Sequence, residues 1–233
     1  AIESGHIKQP SQEQPLKILD LGSGSAYLTF AVHQFLASQN FPIQVVGIDN
    51  RAEFYEKNSE IAKRLGISKT IQFKVESISD TTETSADIAI ALHACDTATD
   101  DAIAFGLQKK AKHMVLVPCC QAEMARVLNK NKALNLQRTP LAELWRHPLH
   151  TREIGSQLTN VLRCLYLESQ GYKVTVTELV GWEHSMKNEL ILAEFTGQPK
   201  RTSAIRLQAL LEEFGLKDVQ ALRYPSLSLE TEQ

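Results

Sequence analysis

The residues best able to do covalent, proton-transfer or metal chemistry fall in two short segments. His93 and Cys95 lie in Ala91-Leu-His93-Ala-Cys95-Asp96, and Cys119 and Cys120 in Val117-Pro118-Cys119-Cys120-Gln121. An imidazole titrates near neutrality and can take a proton from an acceptor group. A thiolate can attack an electrophilic carbon or, together with imidazole, bind zinc. Free cysteine also packs as a small apolar side chain. Zinc sites favour Cys-x-x-Cys over an adjacent pair, and neighbours on one extended segment point to opposite sides. Packing is therefore the favoured role for the cysteines, with nucleophile and zinc ligand as alternatives, and His93 is the favoured general base. Asp96, Thr99 and Asp100 come next; a helix start attracts acids, so they read as caps of the following helix, with Asp96 also a candidate for the reactive set.

A binding element stands upstream. Leu16-Lys-Ile-Leu-Asp20-Leu-Gly22-Ser23-Gly24-Ser-Ala26 runs an apolar strand into a glycine turn, and a helical pattern (Leu28, Phe30, Ala31, Phe35, Leu36) follows at once. Glycines at such a junction bring the backbone close to a ligand over a helix N-terminus. Dinucleotides and S-adenosylmethionine both use this turn. The dinucleotide fingerprint wants a third small residue three positions after Gly24. Tyr27 stands there, so the turn suits a nucleoside ligand without a pyrophosphate.

Phe41 to Ile48 reads as a second buried strand and ends at Asp49-Asn50. A carboxylate at that tip can accept hydrogen bonds from both ribose hydroxyls. In an NAD-type unit the acid lies about 20 residues beyond the glycines; Asp49 falls somewhat later. Asp49 could also cap a helix starting near Arg51, but with the glycine turn upstream ribose binding is favoured.

Asp20-Leu-Gly22-Ser23-Gly24 paired with Gly47-Ile-Asp49 resembles the class I S-adenosylmethionine-dependent methyltransferases. The His93 and Cys119-Cys120 segments, with His184-Ser-Met-Lys187-Asn188-Glu-Leu-Ile, narrow the likeness. Together they resemble a methyltransferase-domain family that includes the glutathione S-transferase C-terminal-domain proteins. More distantly, the His-x-Cys-x-x-x-Thr-Asp run and the Cys-Cys pair are similar to elements of a tRNA ribose 2′-O-methyltransferase family. RNA 5-methylcytosine transferases also use cysteines after these two strands, although they place Pro-Cys where this chain has His-Ala-Cys. The resemblance covers about residues 16 to 196. It implies S-adenosylmethionine as cofactor, held by Asp20, Gly22, Ser23, Gly24, Asp49, Asn50, Glu76, Ser77 and Leu92, with Glu76 and Ser77 at the adenine edge. The catalytic set is His93, Cys95, Asp96, Cys119 and Cys120. It further implies an RNA acceptor, tRNA or rRNA; the alternatives are a protein or small-molecule methyltransferase, or a non-catalytic cofactor-binding module. The last of these is disfavoured by the intact set Asp20, Gly22, Gly24 and Asp49.

The elements that must position these residues alternate along the chain. Strands are predicted at 16–20, 43–48, 71–75, 86–92, 113–117, 173–180 and 189–195. Helices are predicted at 26–38, 51–65 (stopping at Gly66), 98–109 and 203–214 (stopping at Gly215). A mostly helical insertion spans about 121–170; it holds Trp145, His147 and His150 and an amphipathic helix near 157–169. Strands separated by helices imply an α/β domain with a helix-covered, mostly parallel sheet. The resemblance adds that this seven-stranded, Rossmann-like sheet takes its last strand antiparallel. Ligands of such sheets bind at the carboxyl ends of strands, which puts the named residues along one rim. The expected organisation is a polar arm over 1–15, a methyltransferase domain over 16–197, and a C-terminal helix and tail over 198–233, frayed after Pro225.

Composition fits one catalytic domain: 43% hydrophobic residues over 233 positions. Four cysteines, two of them adjacent, do not suggest a secreted disulfide framework, and a reduced cytoplasmic compartment is expected. No membrane partner and no metal are expected, and a start at Ala1 suggests a missing upstream region. The net charge of −2 gives no global basic field for nucleic acid. Local basic candidates are Lys109, Lys110 and Lys112, and, in the insertion, Lys130, Lys132, Arg138, Arg146 and Arg152, with solvated helix ends and loops as their bland reading.

Overall fold

The computed structural model describes residues 9–92, 94, 96–119, 122–131, 140–179, 189–225 and 227. Its strands are β1 (Leu16–Leu21), β2 (Ile43–Asp49), β3 (Ile71–Val75), β4 (Ile88–Leu92), β5 (His113–Val117), β6 (Tyr172–Glu178) and β7 (Glu189–Phe195). Its helices are α1 (Tyr27–Ser38), α2 (Ala52–Arg64), α3 (Ala98–Lys109), α4 (Ala122–Asn131), α5 (Pro148–Ser169), α6 (Arg201–Glu213) and α7 (Lys217–Arg223), with a 3₁₀ segment at Pro140–Trp145.

The strands form one seven-stranded sheet in the order β3-β2-β1-β4-β5-β7-β6. β1 to β5 pair in parallel, and β7 runs antiparallel to both β5 and β6. The expected mixed sheet is present, with its antiparallel last strand and its helical insertion before β6. Strand order reverses between β1 and β4, where a ligand crevice opens in folds of this class.

β1 and β2 are near-continuous apolar runs because helices cover both sheet faces. Alternate residues go to opposite sides. Leu19, Leu21, Val46 and Ile48 join a core with Ile103, Leu162 and Leu207 of α3, α5 and α6. Leu16, Ile18, Ile43 and Val45 join a second core, with Ala62 of α2 and Phe30 of α1. Gly47 of β2 lies opposite Phe73 in the sheet register. A Cβ there would come 2.7 Å from the Phe73 ring and 3.0 Å from Ser23 Oγ, so glycine is what lets the turn and the ring share this spot.

Two expectations need correction. The insertion's main helix starts at Pro148, not near 157, because proline is preorganised for a first helical position. Its added turns bury Thr151 and Gly155. A Cβ on Gly155 would approach the Ala125 backbone nitrogen at 3.0 Å, so α4 and α5 pack closely there. Helix α7 was not expected at all. It is short, and its place comes from tertiary burial of Val219 and of Tyr224 just beyond it, whose ring meets Tyr166 edge-on at 5.0 Å. The tail beyond Pro225 lies outside the described residues except for Leu227, which is buried. Among the described residues no helix is long and apolar enough to cross a membrane.

Candidate functional site

The glycine turn links β1 to α1. Gly22 and Gly24 take positive φ of 83° and 50°, conformations that glycine adopts without a Cβ penalty. The N–H groups of Gly22 and Ser23 both donate to the Ile48 carbonyl, at 2.8 and 2.9 Å, which ties the turn to the end of β2. Helix α1 then starts at Tyr27 with no side-chain cap. Tyr27 is 81% exposed, so its ring is not wedged between helix and sheet.

Asp49 ends β2 beside this turn. Its Oδ2 accepts the Gly24 N–H at 2.9 Å, and its Oδ1 accepts the Arg51 N–H at 3.1 Å. The Arg51 side chain adds Nε to Oδ1 at 3.0 Å and Nη2 to Oδ2 at 3.2 Å. Burial works to raise the Asp49 pKa, but the bonds from Arg51 and Gly24 and the Arg51 charge hold it below the ordinary carboxylate value. Asp49 thus stays ionised and aimed. Its bond to the Arg51 N–H lies just ahead of α2, whose start carries no side-chain cap, and the carboxylate faces the glycine turn.

Behind the turn, Asp20 is buried and accepts the Thr29 hydroxyl at 2.5 Å. Burial pushes its carboxyl up to about 6, against the Thr29 bond and with a push from the charge of Asp49. Asn58, buried on α2, donates from Nδ2 to the Gly24 carbonyl at 2.8 Å and so pins the turn from the other side. Sequence reading missed Arg51, Thr29 and Asn58. Only Arg51 had a local signal, as a cation two residues past the acid.

A cavity of about 390 Å³ opens here, lined by Gly22, Asp49, Asn50, Arg51, Glu76, Ser77 and Ala94 among others. That volume lies within the usual range for small-molecule sites, roughly 300–1,000 Å³. The Glu76 carboxylate accepts the Thr81 hydroxyl at 2.6 Å and the N–H and hydroxyl of Thr82 at 2.9 and 2.8 Å. Burial works to raise its pKa, and these bonds with nearby Lys74 hold it low. Ser77 donates to Asp80 Oδ2 at 2.6 Å. Both residues thus line the cavity while organising the loop after β3.

Leu92 ends β4 directly opposite Val117 of β5. Adjacent strands lie about 4.8 Å apart, so the ends of β4 and β5 are neighbours at the rim. Cys119 is half-buried two residues past β5. His93, Cys95 and Cys120 lie outside the described residues, as do Lys132 and Arg138. Asp96 does not cap α3. It has a left-handed φ of 53°, its Oδ1 accepts the Glu123 N–H at 3.0 Å at the start of α4, and its Oδ2 accepts Arg126 Nη2 at 3.1 Å. Thr99 donates to the Ala94 carbonyl at 2.6 Å. Asp100 takes a two-pronged contact from buried Arg163, at 2.8 and 2.7 Å, and Arg163 Nη2 also donates to the Asp96 carbonyl at 2.9 Å. Asp96 and Asp100 therefore tie the rim to α4 and α5, Thr99 fastens the first turn of α3 back onto the rim, and the α3 start carries no side-chain cap.

Among solved structures, Sp1610 of Streptococcus pneumoniae, provisionally assigned as a tRNA methyltransferase, aligns with TM-score 0.48 and 13% identity over 89% of this chain and 76% of its own. The magnesium protoporphyrin IX methyltransferase of Synechocystis, with bound S-adenosylhomocysteine, aligns with TM-score 0.48 and 15% identity over 84% and 78%. The ribosomal protein L11 methylase of Lactobacillus delbrueckii subsp. bulgaricus aligns with TM-score 0.46 and 14% identity over 78% and 71%. At such scores these likenesses say nothing about the acceptor of this chain. No curated protein matches it significantly. The family model described as a methyltransferase domain matches residues 2–127, more than half of the chain, and that stretch carries β1 to β5, the glycine turn and Asp49. The chain belongs to this methyltransferase domain family.

Proposed function

We propose that the chain is an S-adenosylmethionine-dependent methyltransferase acting on RNA, in keeping with the resemblance to RNA ribose methyltransferases and to the glutathione S-transferase C-terminal-domain proteins. The observation that carries the cofactor assignment is Asp49: an ionised carboxylate, aimed by the Gly24 N–H at 2.9 Å, on the wall of a nucleoside-sized cavity. The glycine turn and Asp49 would hold the nucleoside, and Asn50, Glu76, Ser77 and Leu92 flank it. Bound there, S-adenosylmethionine supplies a methyl group already activated by its sulfonium. The protein is left to align the acceptor and remove its proton. His93 is the candidate general base, with Cys95, Asp96, Cys119 and Cys120 shaping the acceptor side. A reducing, cytoplasmic setting suits these cysteines.

Calorimetry tests the donor site. Wild-type protein is expected to bind S-adenosylhomocysteine in the micromolar range and NAD weakly or not at all. Asp49→Ala should lose about 1.5–3 kcal/mol, the range for hydrogen bonds to a charged partner. Equal affinity of variant and wild type would remove the ribose assignment.

The RNA reading is supported by exposed cations in the insertion. Arg146 and Arg152 are exposed and pair only with neighbouring Glu143 and Glu153 among the contacts described, and Lys130 is exposed on α4. Exposed pairs of this kind hold little energy and leave the cations able to turn to phosphates. Phosphate contacts make binding salt-dependent. Neutralising Lys130, Arg146 and Arg152 together should weaken tRNA or rRNA binding and flatten its salt slope, with S-adenosylhomocysteine affinity unchanged. Wild-type protein with no salt-dependent RNA binding would turn the assignment to a protein or metabolite acceptor.

A further inference from the structure

We infer that the Arg51 guanidinium is an internal stand-in for the ribose diol and that a nucleoside enters by displacing it from Asp49. This rests on the donor-site reading above. A carboxylate offers about four lone-pair sites. In Asp49 two of them take main-chain N–H groups, from Gly24 at 2.9 Å and Arg51 at 3.1 Å. The remaining two take the Arg51 side chain, at 3.0 and 3.2 Å. The acceptor is therefore full before any ligand arrives.

The main-chain donors are built into the glycine turn and the start of α2. Only the side chain can yield. A vicinal diol brings two O–H donors at similar spacing, which matches the number of sites the guanidinium would release. Arg51 also lies across the ligand side of the turn, with Nη2 3.7 Å from where a Cβ on Gly24 would sit, and it lines the cavity. Its side chain is 55% exposed, against 9% for that of Asp49, so the arginine is the partner on the solvent side. The Phe54 ring lies 4.1 Å from Arg51 Cζ and offers the cation a perch within reach of its present position. The arrangement keeps Asp49 ionised and pointed at the site without a ligand, and it favours ligands that bring both hydroxyls over those that cannot repay the broken contacts.

The test is the affinity for S-adenosylhomocysteine in wild type, Arg51→Ala, Asp49→Asn and the double variant, by calorimetry. Arg51→Ala should tighten binding roughly two- to fivefold, the scale of an exposed ion pair removed from competition. In the Asp49→Asn background the same change should have little effect on binding, because the competition for the Asp49 carboxylate is already gone. Weakened or unchanged binding in Arg51→Ala would show that the arginine does not compete, and would leave the donor reading standing. Equal tightening in both backgrounds would show an effect that bypasses Asp49 and would overturn the displacement. A wild-type protein that binds no S-adenosylhomocysteine would remove the donor reading and this inference with it.

Discussion

Arg163→Ala is expected to destabilise the protein by about 3–5 kcal/mol, the range for removing one partner of a buried ion pair. The Arg163 side chain is 1% exposed and that of Asp100 is 10% exposed. The guanidinium grips both oxygens of Asp100, at 2.8 and 2.7 Å, and also meets Asn160 Oδ1 at 3.3 Å and the Asp96 carbonyl at 2.9 Å. Alanine would leave the Asp100 carboxylate buried beside a void and the Asp96 carbonyl without this donor. Arg163→Lys should recover only part of the loss, since an ammonium cannot reproduce the planar two-pronged contact. The double change Arg163→Met with Asp100→Leu should cost far less than the single variant, because no charge is then left unpaired. Urea unfolding midpoints measure all three, and a shift below about 1 kcal/mol for Arg163→Ala would show the site to be wetter than its burial indicates.

The same residue marks where sequence reading ran out. The glycine turn and Asp49 were legible because each is a local signal, a φ requirement or an acid at a strand tip, written within a few positions. The alternation of strands and helices was legible for the same reason, down to the antiparallel β7 that the family resemblance implied. Arg163 and Asp100 stand 63 positions apart, and Asn58 and Gly24 stand 34 apart. No periodicity links such pairs; only the folded topology does. Asp96 and Asp100 looked like caps of α3 because acids near a helix start usually are. Their real partners come from α4 and α5, inside the insertion whose packing the sequence left open. The early turns of α5 were missed because Thr151 and Gly155 are not apolar. What buries them is the close approach of α4, which needs small residues rather than hydrophobic ones. The residues with the most reactive side chains, His93, Cys95 and Cys120, keep the standing the sequence assigned them, since they lie outside the described residues.

Asp20→Asn is expected to act in the opposite direction and to stabilise the fold at neutral pH. Burial pushes the Asp20 carboxyl from 3.8 to about 6. The folded state therefore holds this proton more tightly than the unfolded chain does. Between those two values the unfolded state binds fewer protons, so this group's contribution is present at low pH and is lost as pH rises through about 6. At 1.36 kcal/mol per unit the loss is on the order of 3 kcal/mol. Asp49, Glu76, Glu83 and Glu168, whose pKa values lie below their ordinary ones, work the other way and lose stability as pH falls. The quantity to read is therefore the difference between wild type and variant, not the wild-type curve alone. Asparagine keeps an oxygen for the Thr29 hydroxyl and replaces the ionisable oxygen with a neutral amide NH2, whose effect does not change with pH. The difference should be smallest below about pH 3.8 and should shift in the variant's favour up to about pH 8, measured by urea unfolding across that span. A difference that does not change with pH would show that Asp20 titrates as an ordinary carboxylate. The donor reading adds a sign of its own: a cationic ligand near ionised Asp20 would lower its pKa. Binding of S-adenosylmethionine near pH 6 should then release protons in wild type and release fewer in Asp20→Asn, seen by calorimetry in buffers of different ionisation enthalpy. The charge that weakens the empty fold at neutral pH is, on that reading, the one that draws the positive donor toward the glycine turn.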